Sequence, residues 1–451
     1  MKFNHLFFSV VPAVFTALPC LSQQKPNVLI IYTDDMGIGD LSCYNGGWVS
    51  TPHIDELAKA GIKFNGYYTA SPVSSPSRSG LTTGRFPSEV SITNFLNDRK
   101  SNALCEQSDY LNPAYPTMAR MFRDNGYATG HFGKWHMGGG RDVDDAPQIP
   151  KYGFDEYVST WESPDPDKLI TASNWIWSAK DSIKRWDRTA YFVDKVLDFL
   201  KRHSSQPCFV NLWPDDMHTP WVPSAYYFGK GNLWEEELQF RQVLWEYDRQ
   251  IGRLIDGLKR QGQWENTIII FSSDNGALPT FNQIRSNGLR GSKISLYEGG
   301  INMPFLICWP KVIKPHQTDN ESVICSVDLL PSLCKIIGGK KPKGTFSGED
   351  VSECLLGKAV HHRQKPLYWD FGRNNHFGHP KKAHQRSPHL AIRMGDYKVL
   401  CDSDGTNLQM YNIKADKYET DDISMLHKHQ AKSMAKEVIT WFKSKKHGRE
   451  Q

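Results

Sequence analysis

"PNVLIIYTDDMG", Pro26–Gly37, decides the fold. From Val28 to Tyr32 the side chains are all apolar or aromatic, and Val28, Ile30 and Ile31 are β-branched. A run of this kind without polar alternation is a strand buried on both faces, the signature of a parallel sheet covered by helices. It stops abruptly at Asp34-Asp35. "TIIIFSSDNG" (Thr267–Gly276) repeats the arrangement and stops at Asp274-Asn275, while "PCFVNLW" (Pro207–Trp213) and "MPFLICWP" (Met303–Pro310) are further apolar runs.

Amphipathic segments separate these strands. "TPHIDELAKAG" (Thr51–Gly61) predicts a helix with Thr51 as N-cap, Pro52 in the first turn and Gly61 beyond the end. "PTMARMFRDNGY" (Pro116–Tyr127) follows the same grammar, with Thr117 as cap and Gly126 as stop. "TAYFVDKVLDFLKRH" (Thr189–His203) and a long segment from about Trp234 to Gln261 carry apolar residues at helical spacing. Strands alternating with helices predict an α/β fold: a large mixed, mostly parallel sheet flanked by helices. From about Pro366 the pattern changes to short strands, "PLYWDF", "HLAIRMGDYKVL" and "NLQMYNI", closed by a helix, "HQAKSMAKEVITWFKS". This predicts a smaller C-terminal α+β subdomain, a short antiparallel sheet plus a terminal helix, over 361–451, after a main domain over 23–360.

The N-terminus is read as a signal peptide over 1–22. Lys2 and His5 precede the apolar run "LFFSVVPAVFTALPCL", broken by Pro12 and Pro19. Pro19 before Cys20 argues against a lipoprotein. No later run has the roughly 18 apolar residues of a membrane span, so the expectation is an exported protein, periplasmic or secreted. A net charge of +5 on 451 residues argues against a nucleic-acid partner but allows a local basic, anion-binding cleft. Nine cysteines show no C-x-x-C pair. Cys208 and Cys308 read as buried thiols. Export permits one or two disulfides, whose pairing the sequence leaves open.

Polar residues cluster just past the strand ends, where open α/β sheets bind ligands. Asp34, Asp35, Asp274 and Asn275 offer three carboxylates and an amide oxygen, a donor set for a hard divalent cation such as Ca²⁺ or Mg²⁺. Either pair alone suits a turn or a cap; two pairs at one sheet edge favour the metal. "GHFGKWHMG" places Lys134 and His136 two residues apart, "DDMHTPW" carries His218, and "LRGSKISLYEGG" carries Lys293. Singly these are ordinary surface residues. Beside a cation, two lysines and two histidines make a site for a tetrahedral oxyanion, with donors and a proton shuttle.

One stretch remains: "SPVSSPSRSGLTTGR", Ser71–Arg85. Its composition reads as a loop feeding a turn. Yet Ser74-Ser75-Pro76-Ser77-Arg78, then Thr83-Gly84-Arg85, fits the pattern C/S-x-P-S-R-x-x-x-x-T-G-R. With "TDDMGIGD", "GYATGHFGKWHMG", "MHTPW", "IIIFSSDNG", "LRGSKISLYEGG" and "RMGDYKVL" in order, the chain resembles type I, formylglycine-dependent sulfatases of the alkaline phosphatase superfamily. Its motif style is nearest to arylsulfatase A and N-acetylgalactosamine-6-sulfatase relatives, in the serine-type form of bacteria. The resemblance implies that Ser74 is oxidised to formylglycine (3-oxoalanine) by a radical-SAM maturing enzyme and sits at the positive end of a helix. One hydroxyl of the hydrated aldehyde attacks sulfur; the other then loses its proton and sulfate is expelled. It implies one Ca²⁺ held by Asp34, Asp35, Asp274, Asn275 and residue 74. It further implies Arg78 and Lys134 on the diol, His136 as base, and His218 and Lys293 on sulfate and the departing oxygen.

The pattern has two departures. Asn302-Met303-Pro304 stands where Arg-Val-Pro is frequent, and Met217 replaces a proline before His218. The expected substrate is an O-sulfated carbohydrate, a glycosaminoglycan or other sulfated glycan. Trp161, Trp177, Arg373, Asn375 and His376 are candidates for its rim. Two alternatives remain open: a phosphodiesterase or phosphonate hydrolase of the same superfamily, and a non-catalytic sulfated-glycan binder if Ser74 is unconverted. Relatives that use an unmodified Ser or Thr need two zinc ions, and no second ligand set is evident here.

Overall fold

The computed structural model describes residues 1, 25–45, 48–140, 143–172, 177–224, 232–233 and 236–445. The signal peptide, Cys20 and Trp234 lie outside them. The main sheet has eight strands: β1 (Asn27–Thr33), β2 (Ile62–Phe64), β3 (Ala128–Gly133), β4 (Glu156–Ser159), β5 (Cys208–Trp213), β6 (Thr267–Ser273), β7 (Phe305–Cys308) and β8 (Gln317–Asp319). Their order is β4-β3-β5-β1-β6-β7-β2-β8. The pairings from β4 to β6 are parallel, β7 runs antiparallel to both β6 and β2, and β2 pairs parallel with β8.

The opening run behaves as its composition dictates. β1 lies between β5 and β6, with Ile30 opposite Asn211 and Ile270. Its alternate side chains enter two separate cores. Val28, Ile30 and Tyr32 pack with Leu81, Met118, Phe122 and Leu333, whereas Leu29 and Ile31 pack with Ile54, Phe192, Val196, Leu254 and Leu258. The first layer of helices includes α2 (Ser74–Thr83), α3 (Met118–Asp124) and α6 (Leu329–Ile336); the second includes α1 (Pro52–Ala60), α4 (Arg188–Arg202) and α5 (Glu237–Arg260). Each fully buried aliphatic contributes about 1.5–3 kcal/mol, so a strand flanked on both sides fixes its register firmly. The Thr117 cap is made, its hydroxyl accepting the Arg120 N–H at 3.2 Å.

The C-terminal part holds an antiparallel sheet of β9 (Leu367–Asp370), β10 (Leu390–Met394), β11 (Tyr397–Cys401) and β12 (Gln409–Asn412), with helix α7 (Lys428–Lys443). The run read as one strand, "HLAIRMGDYKVL", is a hairpin that turns at Gly395, where φ is +57°. One face of this sheet, with Leu390, Ile392 and Val399, takes Ala431, Met434 and Val438 of α7. The other, with Trp369, Ala391 and Leu400, packs on Tyr68, Ala70 and Val73 beside α2. The Trp369 indole N–H donates to the Thr69 carbonyl at 2.9 Å. The eight described cysteines are all free thiols, Cys208 and Cys308 buried among them.

Gly133 ends β3 with φ +129°, and a Cβ there would lie 2.1 Å from the Trp213 carbonyl oxygen. Gly133→Ala is therefore expected to destabilise the fold by about 2–4 kcal/mol. Thermal unfolding checks this: a melting temperature unchanged from the parent protein would refute the close approach.

Candidate active site

β1 and β6 are neighbours in register, Thr33 opposite Ser273, so their continuations emerge side by side at the carboxyl edge of the sheet. The Asp274 N–H donates to the Thr33 carbonyl (3.0 Å), the Asp35 N–H to Asp274 Oδ1 (3.1 Å), and Asn275 Nδ2 to Asp35 Oδ1 (2.7 Å). Asp35 takes the left-handed conformation, φ +55°, which Asp tolerates better than most residues. All four side chains are buried.

α2 reaches this edge with its first residue. Its composition argued for a loop; the structure makes it a helix in which every residue is buried. Its hydroxyls serve the backbone, Ser79 Oγ donating to the Pro76 carbonyl and Thr83 Oγ to Ser79. Gly84, at φ +66°, closes it. Ser74 and Arg78 are one turn apart and share a face. Ser74 Oγ lies 3.0 Å from Asp34 Oδ1 and 3.4 Å from Asn275 Oδ1. Arg78 is fully buried; its Nε and Nη2 reach Asp274 Oδ2 at 3.1 and 2.7 Å, and Nη2 reaches Asp34 Oδ1 at 3.4 Å.

Lys134 follows β3, and its Nζ sits 2.8 Å from Asp34 Oδ2 and 3.4 Å from Ser74 Oγ. Lys293 Nζ is 2.7 Å from Asp35 Oδ2. His218 gives its Nδ1–H to the Thr219 carbonyl at 2.6 Å, which turns Nε2 toward Asp35 Oδ2 at 3.7 Å. His136 holds φ +51° and places Nε2 3.3 Å from the Leu96 carbonyl. Ser74, Lys134, His136, His218 and Lys293 line one cavity of about 290 Å³, walled by Phe95, Leu96, Thr160, Trp161, Ile294 and Gly378.

The electrostatics follow from burial and sign. Burial pushes Asp34 up, but Lys134, His218, Arg78 and Lys293 together hold it well below the ordinary carboxylate range. Burial also raises Asp35, yet Lys293 and His218 leave it lowered. Asp274 goes the other way, to about 7: burial dominates, Arg78 opposes it, and Asp34 and Asp35 add repulsion. Burial lowers His218 to about 4, helped by Lys293, and lowers His136 strongly. Both imidazoles are neutral at pH 7 in the free protein. The fit to a cation is good: Asp34, Asp35 and Asp274 can each bring one oxygen within 4.8 Å of the others, and the donors are the hard oxygens that Ca²⁺ or Mg²⁺ takes.

Sequence reasoning missed the residues that support this constellation. Arg185 Nη2 donates to the Asp215 and His218 carbonyls (2.6 and 2.9 Å), and Arg185 and Arg188 both bind Asp215 Oδ2 at 2.8 Å. This lattice fixes the His218 loop. Arg285 binds Asp40 and the Asp35 carbonyl. The only signal was the acidic pair Asp215-Asp216 ahead of His218. At the rim, Trp161 does line the cavity, while Trp177 is not among the lining residues. Arg373 requires correction as a rim residue: its guanidinium binds Asp370 and the Cys105 and Glu106 carbonyls, which buries its side chain. Asn375 is exposed, and His376 borders a separate cavity of about 110 Å³ beside Phe95 and Cys105.

Comparison with known proteins now decides the family. The Sulfatase family model matches residues 26–339, and the C-terminal model of N-sulphoglucosamine sulphohydrolase matches residues 292–446. The chain belongs to the sulfatase family. It is 28% identical to the N-acetylgalactosamine-6-O-sulfatase of Bacteroides thetaiotaomicron over 90% of this chain and 91% of that one. Arylsulfatase A of Homo sapiens is 28% identical over 83% of this chain and 75% of its own. A solved structure from the metabolism of multiple glycosaminoglycans by Bacteroides thetaiotaomicron superposes with a TM-score of 0.76 at 25% identity, covering 93% of this chain and 100% of that one. Sulfatases are sulfuric ester hydrolases. No helix among the described residues is long and apolar enough to cross a membrane.

Cation binding at Asp274 would depend on pH with a definite sign. Asp274 ionises near 3.8 when free and near 7 in the folded chain. Between those values the unfolded chain has lost this proton and the folded one has kept it, so Asp274 makes stability fall as pH rises through the window. A cation takes the proton's place and binds best above it. CaCl₂ in place of chelator should thus raise the melting temperature more at pH 8 than at pH 5, and Asp274→Asn should remove most of the difference. Equal shifts at both pH values would contradict this assignment.

Proposed function

We propose that this chain hydrolyses O-sulfate esters of carbohydrates after Ser74 is converted to formylglycine, with one Ca²⁺ held by Asp34, Asp35, Asp274 and Asn275. The observation that carries this reading is the position of Ser74. It begins a buried helix with its Oγ against Asp34, Asn275 and Lys134, at the base of the cavity. A helix N-terminus favours the negative charge that develops there. Hydrated formylglycine supplies the nucleophilic oxygen and, with its second hydroxyl, a way to release sulfate that serine lacks. A cation held by these residues would lower the pKa of the diol and neutralise sulfate charge.

The remaining roles fall to this chain's own residues. Lys134, on Asp34, and Lys293, on Asp35, bind sulfate oxygens. Arg78, locked onto Asp274 and Asp34, holds the acidic residues in place beneath residue 74. His136, half-buried and neutral, is the base for the second hydroxyl. His218 accepts a proton at Nε2 as the arriving sulfate adds negative charge beside it, and delivers it to the departing sugar oxygen. The apolar walls Phe95, Leu96, Trp161 and Ile294 suit the faces of a sugar ring. Similarity to the N-acetylgalactosamine-6-O-sulfatase supports a carbohydrate substrate. Export, with residues 1–22 as the leader, and maturation by a radical-SAM enzyme belong to the same proposal.

Release of inorganic sulfate from a panel of defined sulfated saccharides by the matured enzyme tests the substrate class; release from aryl sulfate alone would overturn the carbohydrate assignment. The role of His218 has its own signature. A sugar alkoxide needs a proton to depart and nitrophenolate does not. His218→Ala should therefore lower kcat on the saccharide by about 10²–10⁴-fold and far less on 4-nitrophenyl sulfate. Equal losses would remove His218 from the acid role.

A further inference from the structure

Lys293 stands on a loop that could not hold its shape alone. Ile294, beside it, has φ +64°, a strained conformation that is an outlier for a β-branched residue. The strain is local to the cavity, since Ile294 is one of its walls. Such backbone strain persists only where the surroundings over-determine it.

Three neighbours do so. The Lys293 N–H donates to the Ala277 carbonyl, just past Asp274-Asn275, and the Ile294 N–H to the Pro72 carbonyl, just before Ser74, both at 2.9 Å. The third neighbour is the C-terminal part of the chain, at residues 384–387. There Gln385, 3% exposed, grips the loop on both sides of Lys293. Its Oε1 accepts the N–H of Gly291, and its backbone carbonyl accepts Ser295 Oγ at 2.7 Å. Its Nε2 donates to Gln283 Oε1 at 3.1 Å. Gly291 stands at φ +84°, where a Cβ would meet Tyr297 Cβ at 2.7 Å, so the loop needs a glycine to offer that N–H. Ser387 Oγ and the His384 carbonyl extend the clamp to the Leu296 N–H and Arg290 Nε.

We infer that Gln385 is a positioning residue for Lys293: its side chain pins the strained loop so that the ammonium stays on Asp35 and faces the sulfate. This rests on the reading of Lys293 given above. Gln385 does not line the cavity, so it acts only through the loop. A displacement of the loop by about 1 Å is enough to lose up to ~10²-fold in rate.

The test is a double-mutant cycle on matured enzyme, read as kcat/KM on the best sulfated saccharide and on 4-nitrophenyl sulfate. Gln385→Ala should lower kcat/KM about 10-fold or more on both, since both present the same sulfate. In a Lys293→Ala background the same substitution should cost under about twofold, because the group it positions is gone. Gln385→Met fills the same space without an acceptor for Gly291 and should lose activity as the alanine variant does while keeping the parent melting temperature to within a few degrees, which covers a failure of the alanine variant to fold. Additive losses from Gln385→Ala and Lys293→Ala would overturn the inference and leave a merely structural residue. Full activity in Lys293→Ala would instead overturn the placement of Lys293 in the site, and the inference with it.

Discussion

The guanidinium of Arg78, with no exposed surface, lies on Asp274 and reaches Asp34 while the rings of Trp213 and Tyr32 flank it at 5.2 and 5.8 Å. Three carboxylates packed at one sheet edge cannot stay ionised in a dry interior without compensation, because each uncompensated ion costs several kcal/mol. Arg78, Lys134 and Lys293 supply that compensation from three different segments. The rest of the architecture serves this requirement. Parallel pairing of β1 with β6 brings the acids together, α2 brings Arg78 and Ser74, β3 brings Lys134, and the loop clamped by the C-terminal part brings Lys293.

The same charge balance prepares the centre for an anion. Asp34 and Asp35 are held ionised by their cationic neighbours, while burial raises Asp274 to about 7. In the proposed function, a cation held by these carboxylates would add positive charge beside Lys134 and Lys293 and so favour a sulfate group. Neutral His136 and His218 sit at its border, free of the cost of buried charge until substrate arrives. The supporting arginines, Arg185, Arg188 and Arg285, touch backbone carbonyls as well as carboxylates. They tie down the segments that carry His218 and Asp35.

What was legible in the sequence, and what was not, follows from the range of the interactions. β1 and β6 declare themselves as unbroken apolar runs because they are buried on both faces, and their acidic ends mark the site. α2 does not: its helix is rich in serines and threonines, of which Ser79 and Thr83 bond its own backbone, and tertiary burial overrides a composition that favours loops. Its function was visible only through its resemblance to a family pattern. Arg373 was misplaced because an arginine in a polar loop does not show by itself whether it faces solvent or folds back; Asp370, three residues before it, and the distant Cys105 and Glu106 carbonyls decide that together. Gln385 and Arg185 were invisible for the same reason, since their partners lie far along the chain.

In the proposed function, residue 74, held against the acidic cluster, performs the chemistry only after its oxidation. Preparations matured to different extents should be compared, with the fraction of formylglycine at position 74 measured by peptide mass analysis and the rate of sulfate release measured on the same samples. The rate should be proportional to that fraction and pass through zero. A finite rate in protein carrying only unmodified Ser74 would contradict it.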